Sequence, residues 1–259
     1  LDAGAVHDCD SILHQDVDID VGETTLGSGL DVSVVICEGV AAPSILSTTL
    51  LYAIAAEQIE GRSVFDIGCG TGYVGLSLLV RGAASLCASD ISDKAVDNAT
   101  ASAAANGLQQ RSDFRVGALL EPFAGMAGFD LILSNPPQTP SAMVASMGDR
   151  PATAIDGGPC GCDLLLGVLE SACLHLAVEA NLYVPCSSLA HPGDVLSRAR
   201  ELFTTVEIVA QHRVPFDNWR LQHLPFLCEQ RERGKAALSY TGGHPYWHVD
   251  VLRCQRQPQ

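Results

Sequence analysis

The chain has 259 residues, 47% hydrophobic and 17% charged, with 24 Gly and 13 Pro. That composition suits a globular protein and excludes disordered, collagen-like and coiled-coil classes. Thirty acidic against 15 basic residues give a net charge of −15, which disfavours nucleic acid or an anionic membrane as partner, since affinity for phosphate comes from Lys and Arg.

In chain order, the first ten residues, LDAGAVHDCD, have neither a basic nor an apolar stretch, so no signal peptide is expected. No apolar run reaches the ~20 residues that span a bilayer. Residues 16–21 (DVDIDV) and 30–36 (LDVSVVI) read as strands, with Gly27 and Gly29 between them. Pro43 and Ser44 open a helical stretch that closes at Gly61. From residue 63 onward strands and helices alternate. Strands are expected at 63–67, 85–90, 113–117, 130–134, 180–185 and 206–211, and the clearest helices at 93–106, 162–177 and 193–203. A final strand is expected at 246–254, after the long segment 215–244. This alternation predicts βαβ units and a mainly parallel sheet. The expected organisation is a β-rich extension, residues 1–42, followed by one α/β domain, residues 43–259.

Ten cysteines are scattered along the chain, several of them (Cys37, Cys87, Cys173) within apolar stretches. They read as reduced thiols of a cytoplasmic protein. Cys160 and Cys162 are a lone C-x-C pair without zinc-site spacing, so no metal is expected.

The first strand of the alternating region runs into Phe65-Asp66-Ile67-Gly68-Cys69-Gly70-Thr71-Gly72-Tyr73-Val74-Gly75. A glycine-rich turn between strand and helix lets a ligand approach backbone amides and the helix N-terminus. Gly70, Gly72 and Gly75 satisfy G-x-G-x-x-G, and Asp90 ends the next strand at the spacing of a ribose-binding acid. By itself this pattern also permits a nicotinamide- or flavin-dependent oxidoreductase. Two features separate the readings. Asp66, just ahead of the glycines, would repel a pyrophosphate but suits a ligand with an ammonium and a sulfonium. Asn135-Pro136-Pro137 closes the fourth strand of the alternating region, where ligands of open α/β sheets gather, and a dehydrogenase has no use for it.

With these residues the sequence resembles class I S-adenosylmethionine-dependent methyltransferases. FDIGCGTG is similar to their first motif, Ala88-Ser89-Asp90 to their ribose-binding strand end, and Ser134-Asn135-Pro136-Pro137 to the [N/D]-P-P motif of enzymes that methylate amide or exocyclic amine nitrogen. Within that group, Ser47-Thr48-Thr49-Leu50-Leu51 and Ile155-Asp156-Gly157-Gly158 resemble stretches of HemK-type glutamine methyltransferases and small methyltransferase domains. The resemblance covers roughly residues 40–190. The sequence departs from the pattern in three places. Gln138 stands where the family usually has an aromatic residue, Ala118-Leu119-Leu120 follows Gly117 where an acid often sits near the adenine, and the leading segment is too short and too β-rich for the helical recognition domain of release-factor enzymes.

The resemblance implies a Rossmann-like, seven-stranded, mostly parallel sheet with helices on both faces and its last strand antiparallel. It implies S-adenosyl-L-methionine as cofactor, with Asp66, Gly68, Cys69, Gly70, Gly72, Asp90, Ile91, Ala118, Asn135 and Thr48 as donor-binding candidates. Asn135 and Pro136 are the expected catalytic pair, their carbonyl oxygens accepting the two N–H groups of an amide or amine so that its lone pair faces the methyl. Pro137, Gln138 and Trp219 are candidates for substrate contact. His212 and His223 flank residues 215–219, yet isolated histidines are more often surface or satisfied core residues. The expected reaction is N-methylation of an amide or amine on a small molecule or a protein side chain. The missing helical domain and stacking aromatic tilt the acceptor toward a small molecule, with a HemK-like protein glutamine methyltransferase as the alternative. From other classes, an oxidoreductase and a non-catalytic donor-binding scaffold remain as competing readings.

Overall fold

The computed structural model describes residues 12–13, 32–126, 128–146 and 152–256. The strands β1 (Ile12–Leu13) and β2 (Val34–Val35) pair antiparallel and are followed by α1 (Ile45–Ala53). The alternating region comprises β3 (Ser63–Ile67), α2 (Tyr73–Val80), β4 (Ser85–Asp90), α3 (Asp93–Ala105), β5 (Ser112–Val116) and β6 (Phe129–Ser134). After the short α4 (Ser141–Val144) come α5 (Asp163–His175), β7 (Leu176–Ser187), α6 (Pro192–Leu202) and β8 (Thr205–Pro215). The chain ends in α7 (Asn218–Gln222), α8 (Leu224–Glu232), β9 (Ser239–Thr241) and β10 (His244–Gln255).

Seven strands lie in the order β5-β4-β3-β6-β7-β10-β8, and β9 pairs with β10 alone. The ladders β5-β4-β3-β6-β7 are parallel, while β10 is antiparallel to both β7 and β8. One face is covered by α5 and α6, through Leu165, Val168, Leu169, Val195 and Ala199. The other is covered by α1, α2 and α3, through Leu50, Leu76, Leu79, Ala99 and Ala103. This is the Rossmann-like, two-faced sheet that the sequence predicts, with its reversed strand inserted between β7 and β8. Strand order turns back between β3 and β6, so the carboxyl ends of these two strands frame the crevice where ligands bind in open α/β sheets.

Several elements differ from expectation. Residues 16–21 and 30–31 lie outside the described residues, and over 32–36 the expected strand is present only as the two residues of β2. The segment from Ser33 to Cys37 is held by side chains of α3 and of its C-cap, Asn106. Asn98, Ser102 and Asn106, spaced four apart on one helix face, accept from the backbone N–H of Cys37, Val35 and Ser33 at 2.7, 3.0 and 3.0 Å. Asn98 and Asn106 donate back to Val35 O and Ser33 O, so these side chains satisfy backbone groups on the side of the segment that faces the helix. The helix expected to reach Gly61 stops at Ala53. Arg81 takes the freed carbonyls, donating to Ile54 O, Ala55 O and Glu57 O at 2.9–3.1 Å. Strands β7, β8 and β10 run 12, 11 and 12 residues, longer than their apolar patterns, because pairing with β10 extends the ladder past the buried stretch. Gly242 and Gly243, at φ +56° and +81°, make the tight turn that adds β9. Among the described residues, no helix is long and apolar enough to cross a membrane.

Candidate active site

A cleft of about 1010 Å³ opens at the carboxyl ends of β3, β4 and β6. Its floor is the turn from β3 into α2, where Gly68 and Gly70 take φ +74° and +55°, conformations costly for a residue with a Cβ. Gly68 N–H and Cys69 N–H both donate to Ser89 O, at 2.8 and 3.1 Å, tying the turn to β4. At Gly75 a Cβ would lie 2.8 Å from Leu86 and 3.1 Å from the Asp66 carboxylate. The third glycine therefore lets α2 press against the sheet, and its N–H donates to Asp66 Oδ2 at 3.2 Å.

Two carboxylates face this floor. Asp66 is 3% exposed. Burial pushes its carboxyl up from 3.8 to about 7, the Gly75 N–H opposes that rise, and the charge of Asp90 adds to it. A buried carboxyl raised in this way is complementary to a ligand ammonium. Asp90 accepts from Gly70 N–H through Oδ2 and from Ser92 N–H through Oδ1, both at 3.0 Å. Each oxygen retains a further lone pair, which is capacity for two hydroxyl groups. Asp90→Ala removes both that capacity and a brace of the glycine turn. Calorimetry with S-adenosylhomocysteine should show a loss of roughly 1.5–3 kcal/mol, the scale of charge-assisted hydrogen bonds; unchanged affinity would leave Asp90 as a brace alone.

Across the cleft, β6 ends at Ser134 and the chain leaves through Asn135, Pro136 and Pro137. Asn135 Nδ2 donates to Ser47 Oγ on α1 at 2.9 Å, which leaves Oδ1 to accept from a ligand. The exit is braced from behind by the Asp156-Gly157-Gly158 stretch. Thr139 N–H donates to Ile155 O, Gly157 N–H to Thr139 O, and Ser141 Oγ to Asp156 Oδ1 at 3.1, 2.9 and 2.6 Å. A Cβ on Gly157 would meet Pro137 O at 2.7 Å, so only glycine fits beneath the two prolines.

The structure brings most of the predicted residues together. Asp66, Gly68, Cys69, Gly70, Asp90, Ile91, Asn135, Pro136, Pro137, Gln138 and Trp219 all line the cleft. Three predicted donor contacts are not among the lining residues. Gly72 caps α2. Gly117 and Leu119 line the cleft, whereas Ala118 between them does not. Thr48 donates to Ser44 O at 3.3 Å, a bond within its own helix, and its neighbour Ser47 lines the cleft instead. Gln138, expected to meet substrate, has its amide committed to β7: Nε2 donates to Pro185 O and Oε1 accepts from Ser187 N–H, at 2.9 and 2.7 Å. Trp219 Nε1 donates to Ser146 Oγ at 2.9 Å, as His223 Nε2 approaches the same hydroxyl at 2.6 Å; neither His212 nor His223 lines the cleft. Sequence reasoning missed Ser47, the covering segment 36–44, Arg220 and Trp247, all of which line it.

The methyltransferase small domain family matches residues 43–147, the stretch that carries α1, the glycine turn and the Asn-Pro-Pro exit. A candidate protein N5-glutamine methyltransferase of Methanocaldococcus jannaschii is 28% identical over 170 residues, 63% of this chain and 84% of the archaeal one. The release factor glutamine methyltransferase of Rhodospirillum rubrum is 40% identical over 109 residues, and the chain spans only 33% of that relative's length. Among solved structures, the ribosomal protein L11 methylase of Lactobacillus delbrueckii subsp. bulgaricus shares the fold, with a TM-score of 0.52 and 17% identity over 85% of this chain and 83% of that one. The match over residues 43–147 takes in the strand ends that frame the cleft: the chain is an S-adenosylmethionine-dependent methyltransferase, and S-adenosylmethionine is its methyl donor.

Proposed function

We propose that the chain methylates the side-chain amide nitrogen of a glutamine in a protein. The observation that carries this reading is the state of Asn135. With Nδ2 engaged by Ser47, Oδ1 is left to accept one N–H of a planar primary amide, and the carbonyl of Pro136, which also lines the cleft, is assigned the other. The glutamine methyltransferases among the relatives support a protein amide over the small molecule favoured from sequence.

The donor supplies a methyl group on a sulfonium, already a good leaving group. The residues of the chain then have two tasks. Asp66 meets the ammonium of the donor's methionine part and Asp90 its ribose hydroxyls, which fixes the line of attack; such orientation supplies on the order of 7–11 kcal/mol of a bimolecular barrier. Asn135 and Pro136 hold the amide N–H groups, turn the lone pair toward the methyl and stabilise the positive charge that develops on nitrogen. Pro136 and Pro137 fix φ and restrict the residue before each, so the acceptors are positioned before substrate arrives.

The test uses methyl-labelled donor with the purified protein and, in parallel, the desalted proteins and the small-molecule fraction of a cell extract. After proteolysis to single residues, N5-methylglutamine should carry the label, and alkali should release it as methylamine. Label only in small molecules, or on a residue stable to alkali, would overturn the assignment.

A further inference from the structure

Beyond the Asn-Pro-Pro exit the cleft runs against an apolar wall that includes Met143, Leu189 and Trp247, with Trp219 packed on it. A short path joins this wall to the reaction centre. Gln138 binds Ser187 N–H, Ser187 pairs with Val249 of β10, and Trp247 follows two residues away on that strand. Trp247 is 2% exposed, and its Nε1–H is buried with no hydrogen-bond partner among the described residues. Buried indole N–H groups usually find an acceptor, and leaving one unpaired is costly. The Arg220 guanidinium, which also lines the cleft, stands 4.5 Å from the centroid of the same indole and pairs with Asp217. A buried donor and a cation in one apolar wall are complementary to an oxygen of partial or full negative charge.

We propose that this wall is a second acceptor subsite, where Trp247 Nε1–H and Arg220 take a carbonyl or carboxylate oxygen of the molecule whose nitrogen is methylated. The inference rests on the amide-acceptor reading above. A glutamine supplies such an oxygen from its own main chain, as a peptide carbonyl in a protein or as the α-carboxylate of the free amino acid. Nε1 is shielded from water, so the oxygen reaches it as Trp219 and Arg220, both on the five-residue α7, yield to the entering acceptor.

The chain has two tryptophans, so the ¹⁵N-labelled protein gives two indole N–H resonances, which Trp219→Phe assigns. N-acetylglutamine, which offers a carboxylate, and its N-methylamide, which offers only carbonyls, are titrated into the complex with S-adenosylhomocysteine. The Trp247 resonance should move downfield, saturably, and exchange more slowly with water. A larger effect of the N-methylamide identifies the peptide carbonyl, and a larger effect of the acid identifies the carboxylate. Trp247→Phe should raise KM for the probe about tenfold, the scale of one neutral hydrogen bond, with kcat and S-adenosylhomocysteine affinity nearly unchanged. Arg220→Gln should raise KM more for the acid than for the N-methylamide. An unmoved Trp247 resonance at probe concentrations that saturate turnover overturns the subsite, whether or not Trp247→Phe folds. If the resonance moves and no label reaches either probe, the subsite stands and the amide reading fails.

Discussion

Asn135→Ala is expected to lower turnover by about 10²–10³-fold, the scale for removing one positioned group that acts in the transition state, while S-adenosylhomocysteine binds nearly as well as to the unaltered protein. The hydrogen bonds of Asn135 Oδ1 are made to the acceptor, and they strengthen as its nitrogen turns pyramidal toward the methyl. The loss should therefore fall on kcat more than on donor affinity. Ser47 is a positioning residue for this group, because its hydroxyl takes Asn135 Nδ2 at 2.9 Å and selects which end of the carboxamide faces the acceptor. Ser47→Ala should give a smaller loss in kcat, restored by Ser47→Thr, which keeps the hydroxyl; a role in helix packing alone would move stability and leave kcat in place. If Asn135→Ala transfers methyl at the full rate, the acceptor atom is carbon, oxygen or sulfur, and the Asn-Pro-Pro exit serves only as a turn.

The parts of this site legible in the sequence are those where backbone and chemistry coincide within a few residues. The turn after β3 needs positive φ at Gly68 and Gly70 and close approach at Gly75, so glycine spacing announces it, and Asp66 and Asp90 sit at strand ends fixed by local pattern. The Asn-Pro-Pro exit is legible for the same reason. Contacts between distant segments were not. Ser47 lies 88 residues from Asn135, and nothing in the helix entry distinguishes it from Thr48 until the helix is placed against the strand end. The resemblance singled out residues 155–158, but their work as a brace under Pro137 is set by a bridge between Thr139 and Asp156. Trp247 reads from sequence only as part of the expected final strand 246–254. Its burial at the cleft follows from β10 entering between β7 and β8, a reversal that periodicity does not encode. The length of β8 was hidden for a related reason, since an edge strand that is largely exposed carries a weak apolar pattern.

Asp66→Asn should weaken S-adenosylhomocysteine binding and, at pH 8, make the ligand-free protein more stable. Burial is the larger influence on this carboxyl and holds it at about 7 against an ordinary 3.8. The donor's ammonium requires the ionised form, so each pH unit below 7 should cost the unaltered protein about tenfold in affinity, a proton having to leave before the pair forms. The carboxamide of the variant cannot ionise, and its weaker binding should be flat across the same range. Stability runs the other way. A carboxyl whose folded value is raised contributes fully below the unfolded value of 3.8, loses that contribution between 3.8 and about 7, and has none left above. Asp66→Asn removes the buried charge at pH 8, a gain on the order of 4 kcal/mol at most, and should leave stability near that of the unaltered protein at pH 4, where both side chains are neutral. Thermal unfolding of the two ligand-free proteins at pH 4 and pH 8, with calorimetry of S-adenosylhomocysteine between pH 5.5 and 8.5, measures both effects. Donor affinity that is independent of pH in the unaltered protein would show Asp66 ionised throughout the range, and would leave the ammonium to another group in the cleft.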